Sequence, residues 1–270
     1  MRRVRSLTLE SDLRKLPHPL VVSLLLLGTL IFSFACRDTP QSAPAELTVA
    51  AASDLTPAFE EIGREFEAAN RVKVVFVFGS TGLLTRQIEN GAPFDVFAAA
   101  NVSYIDQLEK MGFIVPDTKR IYARGRITMW TTANSALKIE KIEDLAQPAV
   151  ERIAIANPDH APYGLAAREA LETARMWQTV QPKLVYADNI RQTLQYAETG
   201  NVEVAILALS LSVQSKGRWV LIPEELHKPI DQGMGVIKST KNEPAARAFA
   251  EFVTGEKGRE ILRRYGFAFP

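Results

Sequence analysis

The chain has 270 residues, with 32 Lys and Arg against 31 Asp and Glu, three histidines and one cysteine. So even a balance, +1 overall, offers no electrostatic footprint for nucleic acid. The scarcity of His and Cys leaves no cluster for zinc or another soft metal, and a single cysteine excludes an internal disulfide.

The first 36 residues carry Arg2, Arg3, Arg5, Arg14 and Lys15, then an apolar run from Leu20 to Ala35 that ends at Cys36. The run falls short of the roughly 20 apolar residues of a membrane span and is diluted by Gly28, Thr29 and Ser33, so residues 1–36 read as an export signal. Ser33-Phe34-Ala35-Cys36 resembles a lipobox, with Ser33 where Leu is preferred, and this marks Cys36 as a lipidation site on a lipoprotein. The alternative is ordinary signal cleavage after Ala35 or Ala45. Residues 37–45, polar and rich in proline, suit a flexible tether.

From Glu46 onward, apolar strand-like runs alternate with helical periodicity: strand 47–52, helix 55–70, strand 72–78, helix 82–90, strand 96–100. In the first helix Leu55, Phe59, Ile62 and Phe66 form one apolar face. A second series follows Gly125, with strands 127–131, 152–155, 184–186, 204–207 and 219–222 and helices 164–180 and 189–199; helices 243–254 and 257–265 close the chain. Such alternation predicts an α/β protein with mainly parallel sheets covered by helices on both faces. The terminal helices are expected to pack back on the first half. This gives lobe 1 as 46–125 with 234–270 and lobe 2 as 126–233, with Gly125, Gly233 and Gly235 supplying backbone freedom at a hinge.

Ligands of such sheets sit beyond the strand C-termini, where Ala50-Ala51-Ala52-Ser53-Asp54 and Phe78-Gly79-Ser80-Thr81-Gly82 place small hydroxyl residues ahead of helices. First-turn N–H groups lack intrahelical partners and carry partial positive charge, so an oxyanion can be held there without arginine or lysine.

These two stretches, together with 87–97 (Gln-Ile-Glu-Asn-Gly-Ala-Pro-Phe-Asp-Val-Phe), 157–164 (Asn-Pro-Asp-His-Ala-Pro-Tyr-Gly) and Arg264-Tyr265-Gly266-Phe267, resemble the periplasmic molybdate-binding proteins of ABC import systems over nearly the whole exported part. The resemblance implies a two-lobed periplasmic binding protein fold with molybdate or tungstate in the interlobe cleft. It also implies no cofactor, and as partners a membrane permease and its ATPase, served by a monomer at the extracytoplasmic face.

The same resemblance implies oxyanion contacts from Ser53, Ser80, Thr81, Tyr163 and Ile190, the last through its main chain. It places the Asp54 N–H beside them; the Asp54 carboxylate is expected to turn away as a cap, and Ser53 to cap the first helix as well. Tyr163 is expected to donate through both its N–H and its phenol, because Ala208 stands where some members supply a tyrosine. Asn157 and His160 read as turn-formers near the cleft.

A receptor for sulfate or thiosulfate, and an enzyme acting on a phosphorylated small molecule, are the alternatives. Ser80 lacks the glycine two positions earlier that a nucleophile elbow needs, and no phosphate-binding GxxxxGK[ST] loop is present.

Overall fold

The computed structural model describes residues 46–270; the expected export signal with Cys36 and the expected tether 37–45 lie outside the described residues. Two five-stranded sheets organise the described chain. The first runs in the order β2 (Lys73–Gly79), β1 (Glu46–Ala52), β3 (Val96–Ala99), β10 (Ile230–Val236), β4 (Arg120–Gly125). The second runs β7 (Leu184–Ala187), β6 (Ile153–Ala156), β8 (Val204–Ala208), β5 (Ile127–Thr132), β9 (Gly217–Leu221). Within each sheet four strands point one way, and only the strand that follows a crossing between sheets, β10 or β5, is reversed.

Strand β1 is apolar on both faces because it is covered on both. Leu47, Val49 and Ala51 join one core, and Ala50 joins the other. On the first face lies helix α1 (Thr56–Asn70), which buries Phe59, Ile62 and Phe66. Phe249 of α8 (Glu243–Thr254) meets Phe59 and Phe66 edge-on, with ring centroids 6.0 and 5.3 Å apart. The last helix, α9 (Glu256–Arg264), extends this contact, with Tyr265 just beyond it bonding Glu61 at 2.9 Å, and Ala268 exchanges main-chain bonds with Arg124. The opposite face is closed by α2 (Thr81–Glu89) and α3 (Val102–Lys110), through Leu84, Ile88, Ile105 and Leu108. Among the described residues no helix is long and apolar enough to cross a membrane.

Three sequence expectations change. Helix 164–180 is in fact α4 (Pro162–Thr173) and a short α5 (Trp177–Val180), separated where Arg175 takes a left-handed φ of 58°. The return from the second sheet lies within 222–229 instead of near 233, because Ile230, Asp231 and Gln232 are already paired with Gly125, Arg124 and Ala123. Two glycines disguise that strand in sequence, and their role is close packing rather than hinge freedom: a Cβ on Gly233 would lie 2.9 Å from Val102, and one on Gly235 2.9 Å from Ile114.

Register positions the site. Ala52 pairs with Gly79, so Ser53 and Ser80 leave the first sheet side by side at the same edge.

Candidate functional site

At that edge the two sheets face each other across a small cavity lined by Ala52, Ser53, Asp54, Gly79, Ser80, Thr81, Ala100, Ala161, Pro162, Tyr163 and Ile190. All five sequence-predicted residues and Asp54 meet there. Among the described residues no arginine or lysine lines it. Four chain turns end at it: the 3-10 turn Ser53–Leu55 leading into α1, and the starts of α2, α4 and α6 (Ile190–Glu198). The N–H groups of Thr81, Tyr163 and Ile190 stand in first helical turns, where the helix itself provides no acceptor.

Each start has a local reason. Pro162 occupies the first position of α4, where its missing N–H costs nothing. Asn189 caps α6 by accepting from Arg191 and Gln192 N–H, both at 3.0 Å, which leaves the Ile190 N–H outside the cap. Ser80 is extended just before α2. Ser53 is not the cap expected for α1: its hydroxyl reaches across to Asn189 Oδ1 at 3.3 Å, and Thr56 bonds the Ser53 carbonyl instead.

The hydroxyls are unequal. Thr81 Oγ1 accepts from Ala100 N–H at 3.1 Å, which keeps its own proton for an acceptor inside the cavity. Ser80 Oγ donates to the His160 carbonyl at 2.6 Å and lies 2.8 Å from His160 Nδ1, while Gly82 N–H also bonds that carbonyl at 2.9 Å. His160 is therefore a latch between the sheets, beyond the turn role expected from sequence.

Asp54 is the largest departure. It caps nothing; its carboxylate is buried, and Oδ2 accepts from Tyr163 OH at 2.9 Å and from Gln232 Nε2 at 2.6 Å. Gln232 also bonds Tyr163 OH at 2.9 Å, Tyr122 donates to Gln232 Oε1 at 2.7 Å, and Ser210 donates to the Asp54 main-chain oxygen at 2.8 Å. Oδ1 of Asp54 has no hydrogen-bond partner.

Burial pushes the Asp54 carboxyl up from 3.8 to about 6, against the opposing pull of its bonds to Gln232 and Tyr163. Burial, and then the nearby Asp54 charge, hold the phenols of Tyr122 and Tyr163 well above their usual range. The Tyr163 phenol thus spends its proton on Asp54, so of the two donors expected from this residue only its N–H is left over. A Cβ at Gly125 would lie 2.1 Å from that phenol oxygen, so this glycine makes room for the tyrosine.

Sequence reasoning had no signal for Tyr122, Gln232 or Ser210, which come from strands and turns distant in the chain. Asn189 entered the sequence reading only as the first residue of helix 189–199, whereas it is the cap that precedes Ile190.

The sequence matches the family model of bacterial extracellular solute-binding proteins over residues 47–268. It is 35% identical to the molybdate-binding protein ModA of Azotobacter vinelandii over 83% of this chain and 90% of that protein. It is 32% identical to ModA of Rhodobacter capsulatus over 84% and 89% respectively. Among solved structures it is similar to the Azotobacter vinelandii periplasmic molybdate-binding protein, with a TM-score of 0.79 and 28% identity, covering 83% of this chain and 99% of that one.

Proposed function

The chain belongs to the family of bacterial extracellular solute-binding proteins, and from that premise we propose that it captures molybdate, and tungstate, outside the cytoplasm and delivers the anion to an ABC importer. The observation that carries this reading is the cavity itself. Neutral donors from two sheets, at four chain turns, converge on a space that no arginine or lysine among the described residues enters.

Such a site suits a fully deprotonated tetrahedral dianion. The Thr81 hydroxyl and the first-turn N–H groups of Thr81, Tyr163 and Ile190 are donors with nothing better to bond, with Ser53 alongside. The partial positive charge of helix starts neutralises the anion without a fixed cation. The residues meet oxo groups; none coordinates the metal atom. The ion is cargo and the protein carries no cofactor. Because donors come from both sheets, a closed cleft is favoured only when both sets are engaged, and reopening releases the ion to a permease with its ATPase.

Binding proceeds without turnover. Ser80, the hydroxyl best placed for a nucleophile, gives its proton to the His160 main-chain carbonyl rather than to the imidazole Nδ1 2.8 Å away, which leaves it unactivated. Selectivity follows from size, since sulfate and phosphate are smaller than molybdate and would leave donors on a fixed wall with stretched bonds. Lobes 46–125 with 230–270 and 126–229, shifted from the sequence expectation by the pairing of β10, together with a monomeric state and lipidation at Cys36, complete the proposal.

Melting curves recorded with molybdate, tungstate, sulfate and phosphate side by side test it. A ligand of the native state raises the melting temperature, with a shift that grows with the logarithm of its concentration over Kd. Molybdate and tungstate are expected to give large shifts and sulfate a small one. An equal shift with sulfate would turn the assignment to a general sulfate-type receptor.

A further inference from the structure

A cavity for a dianion has one member of the wrong sign. Asp54 lines it, is 1% exposed, and has one carboxylate oxygen, Oδ2, committed to Tyr163 and Gln232 while the other, Oδ1, bonds nothing. An unpartnered buried carboxylate oxygen is costly in itself, and ionised beside a dianion it would add like-charge repulsion in a poorly screened place. Among the described residues no positive side chain bonds Asp54 to offset that.

We propose that Asp54 joins the anion complex as a carboxylic acid: one proton is taken from solvent with each dianion bound, and Oδ1–H donates to an oxo group. This rests on the oxyanion reading of the same cavity. The balance is simple: carboxylate, proton and dianion combine, and the complex holds two negative charges where it would otherwise hold three. Oδ2 keeps its two donors throughout, so the proton belongs on Oδ1.

The elements packed against Asp54 supply no competing charge. Tyr163 from α4 and Tyr122 from β4 are the titratable groups facing it, both neutral through the whole physiological range. Gln232 comes from β10, and Ser210 bonds the main chain only. Before binding, at pH 7.5, Asp54 is ionised, because its raised value of about 6 still lies below that pH. The proton must therefore arrive with the ligand.

The test is calorimetry of molybdate binding to the wild-type protein at pH 7.5 in two buffers of different ionisation enthalpy, with the dissociation constant followed from pH 6.5 to 8.5. The expected result is uptake of close to one proton per anion and a Kd that rises about tenfold per pH unit. Asp54→Asn, whose amide donates without a proton, should bind with no buffer dependence and a flat pH profile. His160→Ala should keep the uptake even if its looser latch weakens binding, which excludes the nearby imidazole as the group that takes the proton.

Molybdate binding with equal heats in both buffers overturns the proposal, as does uptake that survives in Asp54→Asn. Absence of any heat with molybdate, tungstate or sulfate overturns the binding function, and this proposal with it.

Discussion

The two sheets contribute unlike halves to one cavity. The first offers mainly side chains, Ser53, Ser80, Thr81 and the acid Asp54, with the Thr81 N–H beside them; the second offers only the main chain, at the starts of α4 and α6, set in place by Pro162 and Asn189. Side-chain donors can be deleted one at a time by mutation. Main-chain donors cannot, and they are answerable only to the residues that hold the helix start. The halves should therefore respond to substitution in opposite ways: contact residues matter on the first, and neighbours of the contact matter on the second.

The largest expected effect concerns the only acid of the first half. Asp54 is ordinary when unfolded, at 3.8, and raised to about 6 when folded, so between those values the native state binds the extra proton. Stability without ligand then falls as pH rises from 4 to 6 and stays low above. Asp54→Asn should remove the loss, raising stability at pH 8 by up to about 3 kcal/mol and changing little at pH 4. Urea unfolding at the two pH values checks it; a variant less stable at pH 8 would show that the carboxylate holds the cavity together.

Next comes Thr81→Ala. It removes a hydroxyl whose proton is uncommitted and leaves Ala100 N–H without its acceptor. Loss of a hydrogen bond to a charged group costs about 1.5–3 kcal/mol, or roughly ten- to hundredfold in Kd. Ser80→Ala, by contrast, deletes a hydroxyl already bonded to His160, and should weaken molybdate by less than about tenfold through a looser latch. Titration calorimetry on both variants decides; equal losses would mean that Ser80 leaves His160 for the anion.

On the second half, Asn189→Ala touches no proposed anion contact of its own side chain, yet frees the start of α6. Removal of such a cap costs about 1 kcal/mol of stability, and it also removes the acceptor of the Ser53 hydroxyl. Both stability and affinity should drop. Affinity unchanged in a destabilised variant would detach the Ile190 N–H from binding.

What was legible in the sequence was local. A hydroxyl after an apolar run and before a helix is readable within ten residues, and that pattern pointed to Ser53 and Thr81, while Tyr163 and Ile190 came from the resemblance to the molybdate-binding family. What was not legible depends on register between distant strands. Tyr122 meets Gln232, a hundred and ten positions later, only because β4 and β10 pair side by side. Strand β10 itself was hidden, since its glycines look like turn residues until Val102 and Ile114 are seen against them. Asp54 shows how local preference is overridden: a capping role is what its position favours, but Tyr163 and Gln232 draw the carboxylate inward. The phenol of Tyr163 was lost to the anion by the same contact.

The smallest effect is the one that separates the halves most cleanly. Ile190 lines the cavity and is 4% exposed, so a view based on side-chain contact would rank Ile190→Val with Thr81→Ala. If its role is the N–H alone, the exchange leaves that donor, the Asn189 cap and the helix start where they are. Removing one buried methyl group costs stability by about 0.5–1.5 kcal/mol, while Kd for molybdate should stay within about twofold. The melting temperature and the calorimetric Kd must therefore part company in this variant. A fall in affinity as steep as that of Thr81→Ala would mean that the isoleucine side chain shapes the cavity, and the contrast between a side-chain half and a main-chain half would fail.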